Sequence, residues 1–162
     1  MRLLGVLLAL AAAALGGCAG LRAGRGPTLL GSAPELEAAL GEGHAVRVVI
    51  RYARCTLRGA EGERPGPDVT GGMTVTAFER FAAGTVGNAA PYLATSASQL
   101  IAHPRHGAVV NYVRLRVEAS GKVEVTARYL RPPALEVVMD ETFTCALDAG
   151  AGTGGVAFFA AR

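Results

Sequence analysis

The sequence lacks the short motifs that mark the common enzyme classes. It has no G-x-S-x-G element around a nucleophilic serine, no phosphate-binding loop and no dinucleotide-binding glycine pattern. Asp140 and Glu141 are adjacent in a predicted strand, where neighbouring side chains point to opposite faces and cannot act on one substrate atom. We therefore expect a protein that is not an enzyme and that carries no cofactor.

Lysine is also almost absent. Lys122 is the single lysine among 16 basic residues, and the formal net charge is only +3. No run of five basic residues occurs, so the electrostatic footprint of a nucleic-acid-binding protein is missing. Nucleic acid is therefore not an expected partner.

The N-terminus has the anatomy of a signal peptide. Arg2 gives a positive start, and residues 3–15 form an apolar run of leucine, alanine, valine and glycine. As a helix this run would reach only about 20 Å, short of the roughly 30 Å hydrocarbon core of a membrane. Residues 1–17 are predicted to be a signal peptide that is removed on export.

Residues 15–18 match the lipobox of bacterial lipoproteins, in which a cysteine thiol receives lipid before cleavage. Cys18 is the predicted lipidation site, followed by a flexible tether to residue 31; ordinary cleavage among residues 11–14 is the alternative. Ala19 stands where an aspartate would retain a lipoprotein at the inner membrane, which favours the outer membrane. We expect a protein of the bacterial cell envelope, anchored by lipid and facing the periplasm.

Two cysteines remain once Cys18 is set aside. In an exported compartment, Cys55 and Cys145 are expected to form a disulfide that closes a loop of about 90 residues. In the chain-entropy model, such a loop stabilises the fold by roughly 4 kcal/mol. The alternative, a nucleophilic Cys55, has no supporting cue in the neighbouring sequence.

The remaining chain is long enough for one domain, predicted at 32–162, and it opens with helix signals. Ser32 and Glu35 have capping-box spacing, and Leu36 and Leu40 lie one turn apart. These residues predict a helix over about 33–40. Because two turns are not stable alone, its leucines must pack on a sheet.

Strand patterns fill most of the chain after this helix. Alternating apolar residues predict strands over 46–52, from residue 73, across 85–93 and over 155–160, whereas the polar stretch 58–72 is predicted to be a surface loop. A long strand follows Pro133, and Glu141 interrupts its apolar phase; a strand end is the simpler explanation, and an acid with a perturbed pKa is the alternative. Cys55 falls out of phase with its strand, so the disulfide requires a bulge or a strand end near Ala53.

The clearest hairpin spans residues 111–129. A three-residue loop with Gly121 left-handed places Val117 opposite Val123 and Arg116 opposite Glu124, so hydrophobic pattern and charge agree. A two-residue loop would instead set Val117 against Glu124. The whole pattern predicts a mainly β (α+β) fold, with one short N-terminal helix on a curved antiparallel sheet or partly closed barrel of about seven strands.

Several segments occur in an order that resembles a known family. They are Leu36–Leu40 with Gly43, Val46–Ile50, Cys55 with Thr56, Asn111–Val117, Gly121–Val125, Thr142–Cys145, and Phe158 with Phe159. In this order they resemble the VirK family of small exported bacterial proteins, over about residues 35–160. The resemblance implies the fold and export but no reaction, since no biochemical activity is established for the family. Family members often carry a plain signal peptide, from which the lipobox is a departure.

His103 and His106 form an H-x-x-H pair, a spacing that on a helix presents two nitrogens to a metal. Pro104 disfavours that helix, and no carboxylate or cysteine accompanies the pair at ligand spacing. The pair is a weak metal candidate beside the simpler interpretation, a solvated loop. A metal-dependent hydrolase using the two histidines is our third hypothesis of function.

Two further surfaces are candidates for binding. Arg114, Arg116 and Arg128 share the outward face of the hairpin, where they form an anion-binding face or, in the alternative, a solvated face partly neutralised by glutamates. Inward-facing residues either fill the core or line a cavity as in small lipid-carrying barrels. The inward-facing residues are Met73, Val75, Val113, Leu115, Val125, Val137, Met139 and Phe143.

From these features our leading hypothesis is a non-enzymatic envelope lipoprotein. We expect its domain to bind another component of the envelope. A partner protein is the first choice, and a lipid or a polysaccharide is the alternative. The second hypothesis is a carrier or sensor of a small apolar ligand or lipid, held in a sheet cavity.

Overall fold

The computed structural model describes residues 26–59 and 62–161. The predicted signal peptide, the lipidation site Cys18 and tether residues 19–25 lie outside the described residues, so they stay predictions. Within those described ranges, no helix is long and apolar enough to cross a membrane.

The helix α1 (Ala33–Gly41) confirms the helix signals of the sequence. The Ser32 hydroxyl accepts a hydrogen bond from the Glu35 amide at 3.3 Å, while the Glu35 carboxylate accepts one from the Gly31 amide at 2.7 Å. Leu36 and Leu40 are buried in the same core cluster as the strands. The helix is therefore held by its apolar face, as a two-turn helix must be.

Eleven strands occur in the described residues, more than the predicted seven. They are β1 (Thr28–Leu30), β2 (Val46–Arg51), β3 (Thr56–Gly59), β4 (Gly62–Pro65), β5 (Thr70–Val75), β6 (Phe78–Phe81), β7 (Tyr92–His103), β8 (Gly107–Glu118), β9 (Lys122–Arg131), β10 (Glu136–Ala146) and β11 (Val156–Ala160).

The strands form two antiparallel sheets, which confirms the mainly β class with one short N-terminal helix. The strand order is β1-β11-β2-β5 in the four-stranded sheet and β4-β3-β10-β9-β8-β7-β6 in the seven-stranded sheet. Phe158 of the first and Phe143 of the second are among the largest fully buried side chains, so the core lies between the sheets. In the described residues the sheets do not close into a barrel.

The short strands are where the structure differs from the sequence prediction. Thr28–Leu30, assigned to the tether, pair with β11. The predicted loop 58–72 contains β4, whose residues are all exposed and therefore show no apolar period. The predicted strand 85–93 is mostly turns and bends, and β7 begins only at Tyr92.

The central hairpin forms in the predicted register. Val117 lies opposite Val123, and Arg116 lies opposite Glu124. Gly121 has φ +83°, the left-handed conformation that the three-residue loop requires. The prediction is confirmed because one register satisfies both the apolar face and the charged face.

The Cys55–Cys145 disulfide forms where the chain passes from one sheet to the other. A 3-10 turn, Tyr52–Arg54, ends β2 and leads into β3, which belongs to the seven-stranded sheet. This turn is the strand end that the phase of Cys55 required. Cys145 lies on the inward face of β10 and is buried, as is Cys55.

A register shift between Val137 and Met139 interrupts β10. The sequence placed both residues in one inward phase, but the shift pairs Val137 with Leu130 and leaves it 53% exposed. A bulge of this kind changes the face of every residue on one side of it. Met139 and Glu141 therefore keep the inward face.

Candidate binding cavity

One row on the inward face of the seven-stranded sheet contains two alanines. The register of β7 to β10 aligns Ala97, Val113, Ala127 and Glu141 across four strands. The adjacent row toward the core is bulkier and consists of Thr95, Leu115, Val125 and Phe143. The bulky row fills the space between the sheets, whereas the two alanines of the other row leave part of it empty.

That space is a cavity of about 270 Å³ between the two sheets. The four-stranded sheet contributes Ile50 of β2 and residues 70–73 of β5. Gly71 and Gly72 have no side chains to fill the cavity, and a Cβ on Gly71 would lie 3.4 Å from the Tyr52 ring. The cavity thus arises from small residues on both sheets.

The predicted cavity-lining residues divide into three groups. Met73, Val113, Met139 and Phe143 line the cavity. Val75, Leu115 and Val125 are buried in the core, and Val137 faces outward. Filling the core and lining a cavity, which the sequence left as alternatives, therefore both occur between the two sheets.

Six residues with polar side chains line this cavity: Tyr52, Thr70, Gln99, Asn111, Tyr129 and Glu141. In the part of the chain that the structure describes, none of these side chains has a hydrogen-bond partner. Thr70 and Gln99 are exposed to water, and the other four are buried or half-buried. A concave apolar site with a few convergent polar groups is the usual form of a ligand-binding pocket.

Glu141 is the acidic group of the cavity. The sequence pattern predicts a strand end at Glu141, because an acid there interrupts the apolar residues of the strand. In the structure Glu141 lies in the interior of β10, half-buried between Met139 and Phe143 on the inward face. Within residues 26–59 and 62–161 its carboxyl group forms no ion pair and accepts no hydrogen bond. Its position is therefore explained by the cavity rather than by the end of a strand.

Tyr52 closes one side of the cavity. Its ring packs edge-on against Phe143, with ring centroids 4.8 Å apart, and the residue is 8% exposed. Burial raises the pKa of the Tyr52 phenol to about 12, with smaller contributions from Tyr129 and Glu141. Tyr52 is therefore a neutral hydrogen-bond donor at physiological pH.

The raised pKa of Tyr52 predicts a loss of stability in alkali. Since the folded-state pKa lies above the unfolded value of about 10, this contribution is complete below about pH 10 and disappears as the pH rises to about 12. The loss should be about 3 kcal/mol in the free energy of unfolding, measured by urea denaturation across this pH range. Tyr52→Phe should not show it.

A matched control for Tyr52→Phe is Tyr112→Phe, on the outward face of β8. This variant should lose stability between about pH 10 and about pH 12 as the wild type does. If Tyr52→Phe and the wild type lose the same free energy over that range, the assignment of the alkaline loss to Tyr52 is wrong.

His103 ends β7 and His106 lies in the turn that follows; both rings lie near Tyr129, which lines the cavity. His103 Nδ1 accepts hydrogen bonds from the Arg105 and His106 amides, at 3.2 and 3.3 Å. The His103 ring also lies 4.8 Å from the rings of both His106 and Tyr129. Among the described residues there is no group of three or more side chains that could hold a metal ion. The two histidine rings instead pack against each other and against Tyr129.

The outward face of the hairpin carries the three predicted arginines, each beside an acidic group. Arg128 contacts Asp140 at 3.0 Å, and this carboxylate raises the pKa of the guanidinium. Arg114 lies 3.9 Å from Glu124. Arg116 lies 4.0 Å from Glu118 and also covers the ring of Tyr92 at 4.0 Å. Since each guanidinium has a carboxylate beside it, this face is less suited to anions than three free arginines would be.

A second, more open groove of about 560 Å³ lies between α1 and β6. It contains an acidic residue, Glu37, but Arg80 forms an ion pair with it. Although this groove is larger, its charges are already matched within the protein. The cavity between the sheets is the better candidate because its acidic group has no such partner.

Five of the six polar residues in the cavity lining were not predicted from the sequence. Gln99, Asn111 and Tyr129 align in one row of the seven-stranded sheet, next to the row that holds Glu141. Asn111 and Tyr129 share the phase of the apolar residues in the central hairpin. Polar residues at positions where the strand pattern calls for apolar ones were the signal that could have predicted this part of the site. Tyr52 reaches the cavity from a turn, where no strand pattern applies.

Comparisons with known proteins identify the family of this fold. A family model described as VirK protein matches residues 29–135, more than half of the chain. A crystal structure of a VirK family protein from Legionella pneumophila is similar, with a TM-score of 0.62 and 16% sequence identity over 81% of this chain and 98% of that chain. No curated protein matches the chain. The chain belongs to the VirK family.

Proposed function

We propose that this VirK family member is an exported, lipid-anchored binding protein, whose cavity takes a guest with an apolar body and a cationic group. The observation that carries the proposal is the unpartnered, half-buried Glu141 carboxyl group in a largely apolar cavity. Removing a carboxylate from water without a partner is costly, and a guest cation supplies that partner through a charge-assisted hydrogen bond.

The aromatic lining supports a cationic guest. Tyr52, Tyr129 and Phe143 line the cavity together with Glu141. Cations are attracted to the faces of aromatic rings, by roughly 0.5 to 2 kcal/mol depending on how far they are desolvated. Met73 and Val113 offer apolar surface for the rest of the guest.

The size of the cavity limits the guest. A cavity of about 150 Å³ is enough to hold benzene, and this cavity has about 270 Å³. A single ring with a short aminoalkyl chain is therefore a guest of suitable volume. A whole lipid is too large to be enclosed, although one end of an amphipathic molecule fits.

The proposed location rests on the N-terminal sequence and the disulfide. The lipobox ending at Cys18 supports a lipid anchor, and Ala19 after it supports the outer membrane. The Cys55–Cys145 bridge suits an oxidising compartment, and the family suggests an exported protein. The binding domain would then face the periplasm at a short distance from the membrane.

The proposal is tested with phenethylamine and phenethyl alcohol, which share a ring and chain and differ in the cationic group. Calorimetry on the purified exported protein should show binding of the amine at least about 10-fold tighter than that of the alcohol. Glu141→Gln should remove this preference while leaving alcohol binding nearly unchanged.

Asp140→Asn is the matched control, since it removes one acidic group from the same strand on the opposite face. It should keep the wild-type preference for the amine. Equal affinities for amine and alcohol in the wild type would overturn the proposal. A loss of preference in Asp140→Asn as large as in Glu141→Gln would also overturn it, because the effect would then come from net charge.

A further inference from the structure

The seven-stranded sheet has one end at which two hairpin turns lie side by side. The first turn, residues 104–106, joins β7 to β8, and the second, residues 132–135, joins β9 to β10. Because β8 and β9 pair with each other, the two turns are neighbours in space. We call this end, formed by residues 100–110 and 130–137, the turn end of the sheet.

Exposed apolar side chains are concentrated at the turn end. Of the large apolar side chains that the structure describes, six are exposed, and Leu100, Leu135 and Val137 are three of them. The register places Leu100 in one outward row with Val110, Leu130 and Val137. With neighbouring strands about 4.8 Å apart, this row extends about 15 Å across the sheet. The turn end therefore carries an apolar strip, formed by these four residues, on its outward face.

The two rows next to the apolar strip are polar. They consist of Ser98, Tyr112, Arg128 and Asp140, and of Ser96, Arg114, Thr126 and Thr142. A sheet face that meets only water is expected to be polar along its whole length. Since the apolar side chains are gathered at one end and bordered by polar rows, the strip has the form of an interaction site.

Leu135 adds an exposed apolar side chain at an unfavourable backbone conformation. Its φ of +56° lies in the left-handed region, and within residues 26–59 and 62–161 it is the one non-glycine residue with a positive φ. A bulky side chain is disfavoured there, and glycine is the usual occupant. The side chain is nevertheless a leucine that is 52% exposed. Unfavourable conformations of this kind cluster at functional sites.

The charges of the turn end are complementary to an anionic surface. The sequence has no acidic residue between Glu79 and Glu118, a stretch that includes all of β7 and the turn after it. Arg105 is exposed in that turn, and its guanidinium forms no ion pair with any residue that the structure describes. The acid of the turn end, Glu136, lies 3.0 Å from Arg131 and is matched by it. An unmatched positive charge therefore lies beside the apolar strip.

We propose that the turn end is a docking surface for an anionic lipid membrane. The apolar strip and Leu135 enter the boundary between headgroups and acyl chains, and Arg105 contacts lipid phosphates. The exposed aliphatic side chains offer a few hundred Å², whereas a stable protein interface buries about 800 Å² per partner. A membrane sets no such minimum, since apolar area and charge both add to binding at its surface. This contact orients the domain on the membrane whether or not Cys18 carries lipid.

The test uses tryptophan as a reporter, because the chain contains none. Leu100→Trp places it in the apolar strip, and Val86→Trp is the matched control, since Val86 is also exposed but lies before the start of β7, away from the turn end. Each purified exported variant is mixed with vesicles of phosphatidylcholine and phosphatidylglycerol whose acyl chains carry bromine, a quencher of tryptophan. The emission of Leu100→Trp should move to shorter wavelength and lose intensity, and that of Val86→Trp should do neither.

Arg105→Gln, made in the Leu100→Trp protein, tests the charge. Because one arginine near an anionic surface changes membrane affinity about 5-fold, the ratio of quenched to unquenched protein should fall about 5-fold. On vesicles of phosphatidylcholine alone, Arg105→Gln should have no effect. Arg64→Gln is the matched control, since it removes the same charge from the exposed edge strand β4 and should leave the ratio unchanged.

Three outcomes would overturn the inference. The first is unchanged emission of Leu100→Trp on the anionic vesicles. The second is equal quenching of Leu100→Trp and Val86→Trp, because the turn end would then not determine the contact. The third is a shift of Leu100→Trp emission that rises with protein concentration without vesicles, because a second copy of the chain would then cover the strip. Phenethylamine binding does not involve the turn end, so this inference and the proposed function can fail separately.

Discussion

Replacing both Cys55 and Cys145 by alanine is expected to lower the free energy of unfolding by about 4 kcal/mol. The bridge joins residues separated by 90 positions, so it removes much of the conformational entropy of the unfolded chain. Small domains have a total stability of about 5 to 15 kcal/mol, and the loss is a large share of it. Urea denaturation at neutral pH measures the change.

The double variant is compared with the wild type in the presence and absence of a reductant. Reduced wild type and the oxidised or reduced double variant should have similar stability, since all lack the bridge. If the double variant loses less than about 1 kcal/mol, the disulfide does not stabilise the fold through loop closure.

Replacing Phe143 by alanine is expected to lower the free energy of unfolding by about 3 to 5 kcal/mol. Phe143 is 1% exposed and packs against Tyr52 at the boundary between the core and the cavity. Truncating it enlarges an existing cavity, which the surrounding sheets cannot close by relaxation. The same urea measurement gives the change in the free energy of unfolding.

Phe78→Ala is the matched control, because Phe78 is 40% exposed in the groove beside α1. This variant should lower the free energy of unfolding by about 1 kcal/mol or less. Equal losses for the two variants would mean that the core does not lie between the sheets at Phe143.

The sequence predicts the parts of this fold whose signals are local. Ser32 and Glu35 mark the start of the helix, and its two buried leucines mark the face that packs. The register of the central hairpin follows from Val117, Val123 and the charges beside them, because a shift of one residue would bury charge. These elements need no knowledge of distant segments.

Other elements depend on partners that are distant in the sequence. β4 is exposed on both faces and exists because β3 pairs with it, so its own residues carry no apolar period. The bulge between Val137 and Met139 is set by pairing with β9, and period-two counting cannot show which residue is extra. The division into two sheets depends on the turn after Arg51, whose role only tertiary packing reveals.

The candidate site was predictable only in part for the same reason. Glu141 was visible as an acid in an apolar phase, but a strand end explains that phase as well as a cavity does. The space beside it exists because Ala97, Val113 and Ala127 meet in one row, which depends on the registers of three strand pairs at once. Tyr52 enters from a turn in which no periodic pattern applies.

The central claim is that the cavity between the sheets binds a cationic guest through Glu141. The most direct test is a crystal structure of the exported protein with phenethylamine. We expect the amine nitrogen to lie within about 3 Å of the Glu141 carboxylate, in a charge-assisted hydrogen bond, with the ring between Tyr52 and Met73. Density for the amine in the groove between α1 and β6, or only water beside Glu141 at saturating amine, would contradict it.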